Sequence, residues 1–315
     1  MCTSQVQTPF EVIYDFLVAI LIAGSYIQQF ILTATHDPRG NGAISGWYII
    51  LLTVSASSHF AARIGHCYSY WAYKYVRAGE LKGYEAFSAL LVFIQPLVHW
   101  VGAATLMALY VVYRTRDDPV TITSPGPAII KTALLATTEP TGSPSITELP
   151  ITSPSNQAIL AVTLSHAAIT LPISIALLVH FEDNLVTALA NQLYGHLLVA
   201  TGTLTSLTAC IPQVYLMATT ARLSLQTAEQ EQAQEVGSLS TLTLGLQVLG
   251  FLALAGSQGR RMKWVLEERE ALPSLGTWCT WTLFFGGPVA GWLALAVSQL
   301  VVLGFVLRGG GRIQL

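Results

Sequence analysis

The chain has 315 residues, of which 52% are apolar and only 10% are charged, and its mean hydropathy is +0.55. An ordinary soluble domain carries about 25% charged residues, so this composition excludes that class and indicates an integral, multi-pass membrane protein. The net charge is only -2 and no basic patch occurs, which excludes nucleic acid as a partner.

Charge-poor apolar stretches predict seven membrane-spanning helices. A helix rises about 1.5 Å per residue, so about 20 apolar residues cross a hydrocarbon core of roughly 30 Å. The stretches are continuous and lack the alternation of barrel strands, which favours helices. In chain order, the predicted spans are 13–34, 44–62, 86–112, 157–180, 194–220, 237–257 and 277–306.

The first span and the longest loop refine this layout. Glu11 and Asp15 stand where a signal peptide has basic residues, so we expect a retained helix. Residues 113–156 are rich in Ser, Thr and Pro, which predicts a disordered loop because such a segment buries too little apolar surface to become ordered. Basic residues in the loops number eight on one side and seven on the other, which leaves the orientation open.

Four short motifs occur twice, in the same order, and indicate an internal duplication. The partners lie 192, 184, 195 and 189 residues apart, so one register with small loop insertions accounts for all four. The pairs are Phe93-x-x-Pro96-x-x-x-Trp100 with Phe285-x-x-Pro288-x-x-x-Trp292, Ile27-Gln28-Gln29 with Ile211-Pro212-Gln213, Gly42-Ala43-Ile44-Ser45 with Gly237-Ser238-Leu239-Ser240, and Lys74-Tyr75-Val76 with Lys263-Trp264-Val265.

This duplication predicts the fold class: an all-α membrane protein whose seven transmembrane helices form two parallel three-helix repeats joined by a linker helix. The first repeat is predicted at 1–112 and the second at 181–307, with the linker helix at 157–180 and a tail at 308–315. A single linker helix returns the chain to its starting side, so the repeats are related by an axis along the membrane normal. Carriers built from repeats hold their solute at the repeat interface near the midplane.

The second repeat resembles a PQ-loop repeat, with Ile211-Pro212-Gln213 late in the fifth span and Gly237-Ser238-Leu239-Ser240 opening the sixth. The first repeat resembles it too, but has Gln28-Gln29 in place of Pro-Gln. The family includes SWEET sugar carriers, cystinosin-like amino-acid exporters and, more distantly, the KDEL receptor. The resemblance implies a seven-helix carrier that works by alternating access, with PQ motifs facing the cytosol and a site between two three-helix bundles.

The motif residues Gln28, Gln29, Pro212 and Gln213 are predicted to act in gating. Proline removes an intrahelical hydrogen bond and kinks a helix, so Pro212 is a candidate hinge. The first repeat lacks this hinge because Gln28 stands at the matching position. We expect Gln29 and Gln213 to bond neighbouring backbone or the opposite bundle. Direct solute contact, or an interface position without a role, are the alternatives.

The paired Pro and Trp residues of the third and seventh spans are predicted to line a central cavity, together with neighbouring polar side chains. The alternative is a kinked, packed helix with an interfacial aromatic residue. SWEET carriers have an asparagine on each of these helices, and neither span contains one here, so sugar is not carried over as the substrate. The predicted lining residues are Gln95, Pro96, His99, Trp100, Pro288 and Trp292.

Histidines in four successive spans raise the alternative of a haem, because transmembrane cytochromes pair imidazoles across helices. These histidines are His59, His99, His166 and His196. His99 is predicted in mid-span and His196 at the start of a span, so a coplanar pair is disfavoured and interhelical hydrogen bonding is expected instead. The four cysteines form no CxxC pair, so no zinc site or disulfide framework is predicted, and we predict no cofactor.

Proton coupling usually needs a buried carboxylate, and none is predicted in mid-span. Asp15 is expected at the start of the first span and Asp37 at its far end. Titration inside the membrane would then fall to His99 or His59, with Asp15 as an interfacial candidate. Passive and proton-driven transport both stay open.

The sequence therefore predicts a carrier of a small solute, such as an amino acid, a sugar or a similar metabolite, in the plasma membrane or in a vacuolar or other endomembrane. No catalytic motif occurs, so no enzyme is predicted. Its partners would be membrane lipid and the solute, and a homo-oligomer stays open. The alternatives are a receptor or scaffold that does not transport, and a transmembrane haem redox protein.

Overall fold

The computed structural model describes residues 8–35, 44–65, 83–116, 153–179, 185–226, 241–267 and 286–310. Within these ranges the chain is all-α, and the prediction of seven helices is confirmed. The helices are α1 (Pro9–Thr35), α2 (Gly46–Gly65), α3 (Tyr84–Arg116), α4 (Asn156–Val179), α5 (Leu185–Gln226), α6 (Thr241–Glu267) and α7 (Gly287–Gly310).

Six of these described helices are long and apolar enough to cross a membrane, and α2 is the exception. Every residue from 52 to 64 of α2 is buried, because α3, α4 and α5 all pack against this helix. A helix enclosed by protein can carry polar residues that a lipid-facing helix cannot. This enclosure explains how α2 can carry a run of buried polar residues from Thr53 to Arg63.

The predicted helix ends differ from the observed ones mainly in the second half of the chain. Helix α5 begins at Leu185, ahead of the predicted residue 194, and α6 continues to Glu267, beyond the predicted residue 257. The predicted starts at 237 and 277 lie outside the described residues, as do 117–152 of the predicted loop, Asp37, Lys74-Tyr75-Val76 and Phe285. At the edges of that loop, the Arg114 Nη1 atom of α3 donates a 2.7 Å hydrogen bond to the Pro154 carbonyl.

Capping residues explain where two helices begin. The Glu11 amide donates to Thr8 Oγ1 at 3.4 Å, and the Thr8 amide donates to Glu11 Oε2 at 2.8 Å, which is a reciprocal capping box. Pro9 follows as the first helical residue, where its missing amide hydrogen costs nothing. Helix α4 begins in a similar way, because Ser155 Oγ accepts the Ala158 amide at 3.1 Å.

The packing of the helices has a reciprocal pattern. Helix α3 contacts both α1 and α2, and α7 contacts both α5 and α6. Between these two groups, α2 packs against α5 and α1 packs against α6, while α4 lies chiefly against α2. One hydrophobic core, with members such as Ile22, Leu52, Phe251 and Trp292, receives residues from all seven described helices.

The close approach of α1 and α3 depends on Gly102. A Cβ atom at Gly102 would lie 2.5 Å from Cδ2 of Tyr26, whose ring is buried and cannot move aside. We therefore expect Gly102→Ala to lower the free energy of unfolding by about 1–3 kcal/mol. Gly245→Ala is the matched control, since no atom lies within 4 Å of its Cβ position, and it should be neutral or stabilise by up to about 1 kcal/mol. Thermal unfolding of both purified variants measures the difference, and equal midpoints would contradict the packing described here.

Candidate functional site

Four aromatic side chains from four helices meet inside the bundle and form what we call the aromatic cluster: His59 of α2, His99 of α3, Phe251 of α6 and Trp292 of α7. The Trp292 ring stacks on His59, with centroids 5.4 Å apart, and on Phe251, at 6.1 Å. His99 meets Trp292 edge to face at 5.4 Å and Phe251 at 5.2 Å. The aromatic cluster therefore joins α2 and α3 to α6 and α7.

Two contacts fix the histidines of the cluster. The Tyr26 hydroxyl of α1 lies 2.9 Å from His99 Nδ1 and is hydrogen-bonded to it. His59 lies against backbone, because a Cβ atom at Gly291 would overlap its ring and one at Gly202 would lie 3.0 Å from its Cε1. Glycine at these two positions lets α5 and α7 approach the imidazole directly.

Three buried nitrogens of the cluster have no hydrogen-bond partner among the described residues: His59 Nε2, His99 Nε2 and Trp292 Nε1. An unpaired buried polar atom costs about 1–3 kcal/mol, so most such atoms in folded proteins are paired. Here three such nitrogen atoms lie in side chains that contact one another, which packing alone does not explain. They are the groups with which this site can bind a polar molecule.

A small cavity adjoins the aromatic cluster, between α2, α5 and α7. It has room for about one water molecule, so the site is closed in this conformation. The side chains that line it are His59, Ala62, Arg63, Val199, Pro288 and Trp292.

Arg63 is the charged residue that lines this cavity, and the sequence did not single it out. Its side chain is buried, and Nη2 donates a 2.9 Å hydrogen bond to Oε1 of Gln258 on α6. In the sequence it is one of the fifteen basic residues that were counted in loops. The signal that could have identified it is its spacing. Arg63 ends an otherwise apolar stretch and follows His59 by four residues, and residues i and i+4 share a helix face.

The predicted lining residues divide between separate environments. His99 and Trp292 lie in the aromatic cluster and Pro288 lines the cavity. Trp100 instead stacks on Phe60 of α2 at 5.2 Å. Next to it in the same helix α3 are Pro96, which is buried, and Gln95, whose Nε2 donates to the Asp15 carbonyl at 3.0 Å.

Among the PQ-like residues, Gln213 lies at the far end of α2 from the aromatic cluster. Gln213 is fully buried, and its Oε1 accepts the Ser45 amide at 2.9 Å, which caps the start of α2. Ser45 precedes His59 by 14 residues, about 21 Å along the helix. Gln29 is buried in α1, whereas Gln28 and Pro212 are partly buried. Pro212 lies inside the continuous helix α5.

The histidines do not form a haem site in this conformation. His59 and His99 both pack directly on Trp292, and the adjacent cavity holds about one water, so a porphyrin does not fit between them. His166 makes an ordinary interhelical hydrogen bond, 2.9 Å from its Nε2 to Ser58 Oγ. His196 is partly buried on α5.

Asp15 is more buried than the sequence indicated. It was predicted as an interfacial candidate at the start of the first span, and it lies six residues, about 9 Å, after the start of the apolar span Pro9–Ile31, where it is only 1% exposed. The carboxylate was misplaced because α1 begins at Pro9, ahead of the predicted residue 13.

We expect Tyr26→Phe to destabilise the protein because it leaves buried His99 Nδ1 without the hydroxyl. The loss should be about 1–3 kcal/mol in the free energy of unfolding. The control is the same substitution in a His99→Phe background, where the effect should fall close to zero in a double-mutant cycle. An equal loss in both backgrounds would show that the hydroxyl and imidazole do not interact.

A scan against protein-family models finds no match to this chain, and searches of curated proteins and of solved structures find none either.

Proposed function

We propose that the protein is a multi-pass carrier of PQ-loop type that moves a small solute, such as an amino acid or similar metabolite, across the plasma membrane or an endomembrane by alternating access. The moving parts would be two bundles, α1–α3 and α5–α7, with α4 as the linker. The observation that carries this proposal is the aromatic cluster, where both bundles contribute to a closed site with three nitrogens that have no partner among the described residues.

The duplicated arrangement is supported by a pair of equivalent contacts. Ser55 of α2 and Ser206 of α5 are hydrogen-bonded through their hydroxyls at 2.5 Å. The motif offset of 195 relates Ser55 to Gly250, and the offset of 184 relates Ile22 to Ser206. Gly250 and Ile22 are neighbours as well, since a Cβ atom on the glycine would lie 3.2 Å from Cγ1 of Ile22. The residue pairing that the motifs predict thus makes the α2–α5 contact equivalent to the α1–α6 contact.

The bond between Arg63 and Gln258 supports the same symmetry. These two positions are also separated by 195, so each is the other's equivalent in the two repeats. Equivalent residues of a two-fold arrangement touch only near its axis. A parallel pair of bundles related by such an axis is the arrangement that repeat-built carriers use, with the solute site beside the axis. His59, four residues before Arg63, is in that region.

Helix α2 is bound to the second bundle near both of its ends. Ser45 bonds Gln213 of α5 at the start, and Arg63 bonds Gln258 of α6 near the finish. The two contacts are 18 residues, about 27 Å, apart along the helix, close to the thickness of a hydrocarbon core. Breaking one contact while the other holds would open the site to one side of the membrane, which is the requirement of alternating access.

Uptake into proteoliposomes tests this function, with a panel of labelled amino acids and sugars. We expect saturable uptake of at least one solute by the wild type and a loss of roughly tenfold or more in Trp292→Phe, which keeps the ring but removes the N–H group. Trp47→Phe is the matched control because Trp47 is 40% exposed on the outside of α2, and it should transport normally. No uptake of any solute would favour the receptor alternative over transport.

Pro212 tests the hinge in α5. Alanine restores the missing hydrogen-bond donor and stiffens the helix, so Pro212→Ala should slow uptake by roughly tenfold at equal membrane abundance, provided that access depends on bending there. Pro172→Ala is the control, because Pro172 is inside α4, outside both proposed bundles, and its uptake should match the wild type. Unchanged uptake in Pro212→Ala would make the proline a structural feature only.

A further inference from the structure

The cavity beside the aromatic cluster is rich in hydrogen-bond donors. Three of the side chains that line it carry N–H groups: His59, Arg63 and Trp292. Arginine and the tryptophan indole can only donate, and a neutral imidazole donates from Nε2 in one of its two tautomers. The other described lining residues have apolar side chains and are Ala62, Val199 and Pro288. A polar group that satisfies this site must therefore accept hydrogen bonds.

Two of these donors are buried in the protein and point to a ligand. His59 Nε2 and Trp292 Nε1 have no hydrogen-bond partner among the described residues. The Trp292 ring stacks on His59 and on Phe251, so its faces are used within the protein and its Nε1 edge is what it can present to a ligand. A ligand with two acceptor atoms would remove the cost of leaving both donors unpaired.

Arg63 gives the cavity a positive charge. Its Nη2 atom donates to Oε1 of Gln258, which is an uncharged amide, so this bond does not neutralise the guanidinium. Among the described residues that line the cavity, none is acidic. The buried acidic residue of the described helices, Asp15, accepts from Ser257 Oγ and lies 3.8 Å from Arg260 Nη2. A buried charge is stabilised by a partner of opposite sign, so the cavity favours an anionic ligand.

The charge belongs to only one of the two proposed repeats. Arg63 and Gln258 occupy equivalent positions, 195 residues apart, and touch each other, which places both beside the axis. Groups beside the axis move least when two bundles rock about it. A guanidinium in this position would therefore border the solute in both access states, whereas a group far from the axis would border it in only one.

We propose that this cavity binds the carboxylate of a small anionic solute. The guanidinium fork of Arg63 matches the two oxygens of a carboxylate, and His59 Nε2 and Trp292 Nε1 donate further hydrogen bonds to them. An ammonium group on the solute would meet the like charge of Arg63, so the site selects simple carboxylates over zwitterionic amino acids. This inference rests on the proposed carrier, because a cavity with room for about one water admits the solute only when the bundles part.

Equilibrium binding to the purified full chain tests the ligand class without transport. The probes are straight-chain carboxylates from acetate to hexanoate, each compared with its uncharged amide and with the α-amino acid of the same length at constant ionic strength. Relative affinities follow from thermal unfolding, because a ligand of the folded state raises the midpoint. We expect at least one carboxylate to bind roughly tenfold or more tightly than both of its analogues. The absence of this preference throughout the series overturns the proposal, as does equal affinity for chloride.

Two substitutions remove the charge of the cavity by different routes. Arg63→Gln deletes the guanidinium, and Gln258→Glu keeps an acceptor oxygen for Arg63 while neutralising its charge. Each should weaken carboxylate binding by roughly tenfold or more and abolish the preference over the amide. Arg308→Gln is the matched control, since Arg308 is exposed in the last turn of α7, about 24 Å along the helix from Trp292, and should bind like the wild type. If Arg63→Gln does not fold, Gln258→Glu carries the test, and an unchanged preference in a folded variant overturns the proposal.

This inference and the proposed transport fail in different ways. Carboxylate binding that depends on Arg63, without uptake of any solute, supports the site and contradicts the carrier. Uptake of an amino acid or a sugar that Arg63→Gln leaves unchanged contradicts the carboxylate site and leaves the carrier in place.

Discussion

Polar side chains buried on α2 are the constraint on which the rest of this structure depends. Inside an apolar bundle, a hydroxyl, an imidazole or a guanidinium must find a partner in the protein, because hydrocarbon offers none. Ser55 bonds α5, Ser58 bonds α4 and Arg63 bonds α6. These directed contacts hold α2 at the centre of the bundle and fix which helices surround it, while the helices around it carry most of the exposed apolar side chains.

The proposed duplication pairs positions that carry different side chains. Equivalent positions carry Val199 and Asp15, or Ala62 and Ser257, on helices that pack in equivalent ways. In the proposed rocking motion α1 and α6 separate, so a group between them would be exposed in only one of the two states.

Much of the fold follows from the sequence, because long apolar stretches determine where helices form, and all seven described helices overlap a predicted span. The site follows only in part. His99 and Trp292 were predicted from the doubled motif, and both lie in the aromatic cluster. Trp100, which matches Trp292 in the motif, stacks on Phe60 instead. The two tryptophans differ because the residues opposite them differ. The burial of Arg63 and Asp15 was not predicted, because both lie close to helix ends in sequence and their burial depends on which neighbouring helix covers them. Which helix covers them depends on how the helices align with one another, and the hydrophobic periodicity of one helix does not determine that alignment.

The central claim, that two bundles rock about the axis near Arg63 and Gln258, is tested most directly by two distances between spin labels in a cysteine-free chain. One pair joins the exposed, equivalent positions Ile13 and Leu197. The other pair joins Val112 and Gly304, which lie near the C-terminal ends of α3 and α7 and therefore at the other end of the bundle. The account predicts two populations, in which the first distance lengthens as the second shortens. A single fixed distance for both pairs, across pH and in the presence of a transported solute, would contradict it.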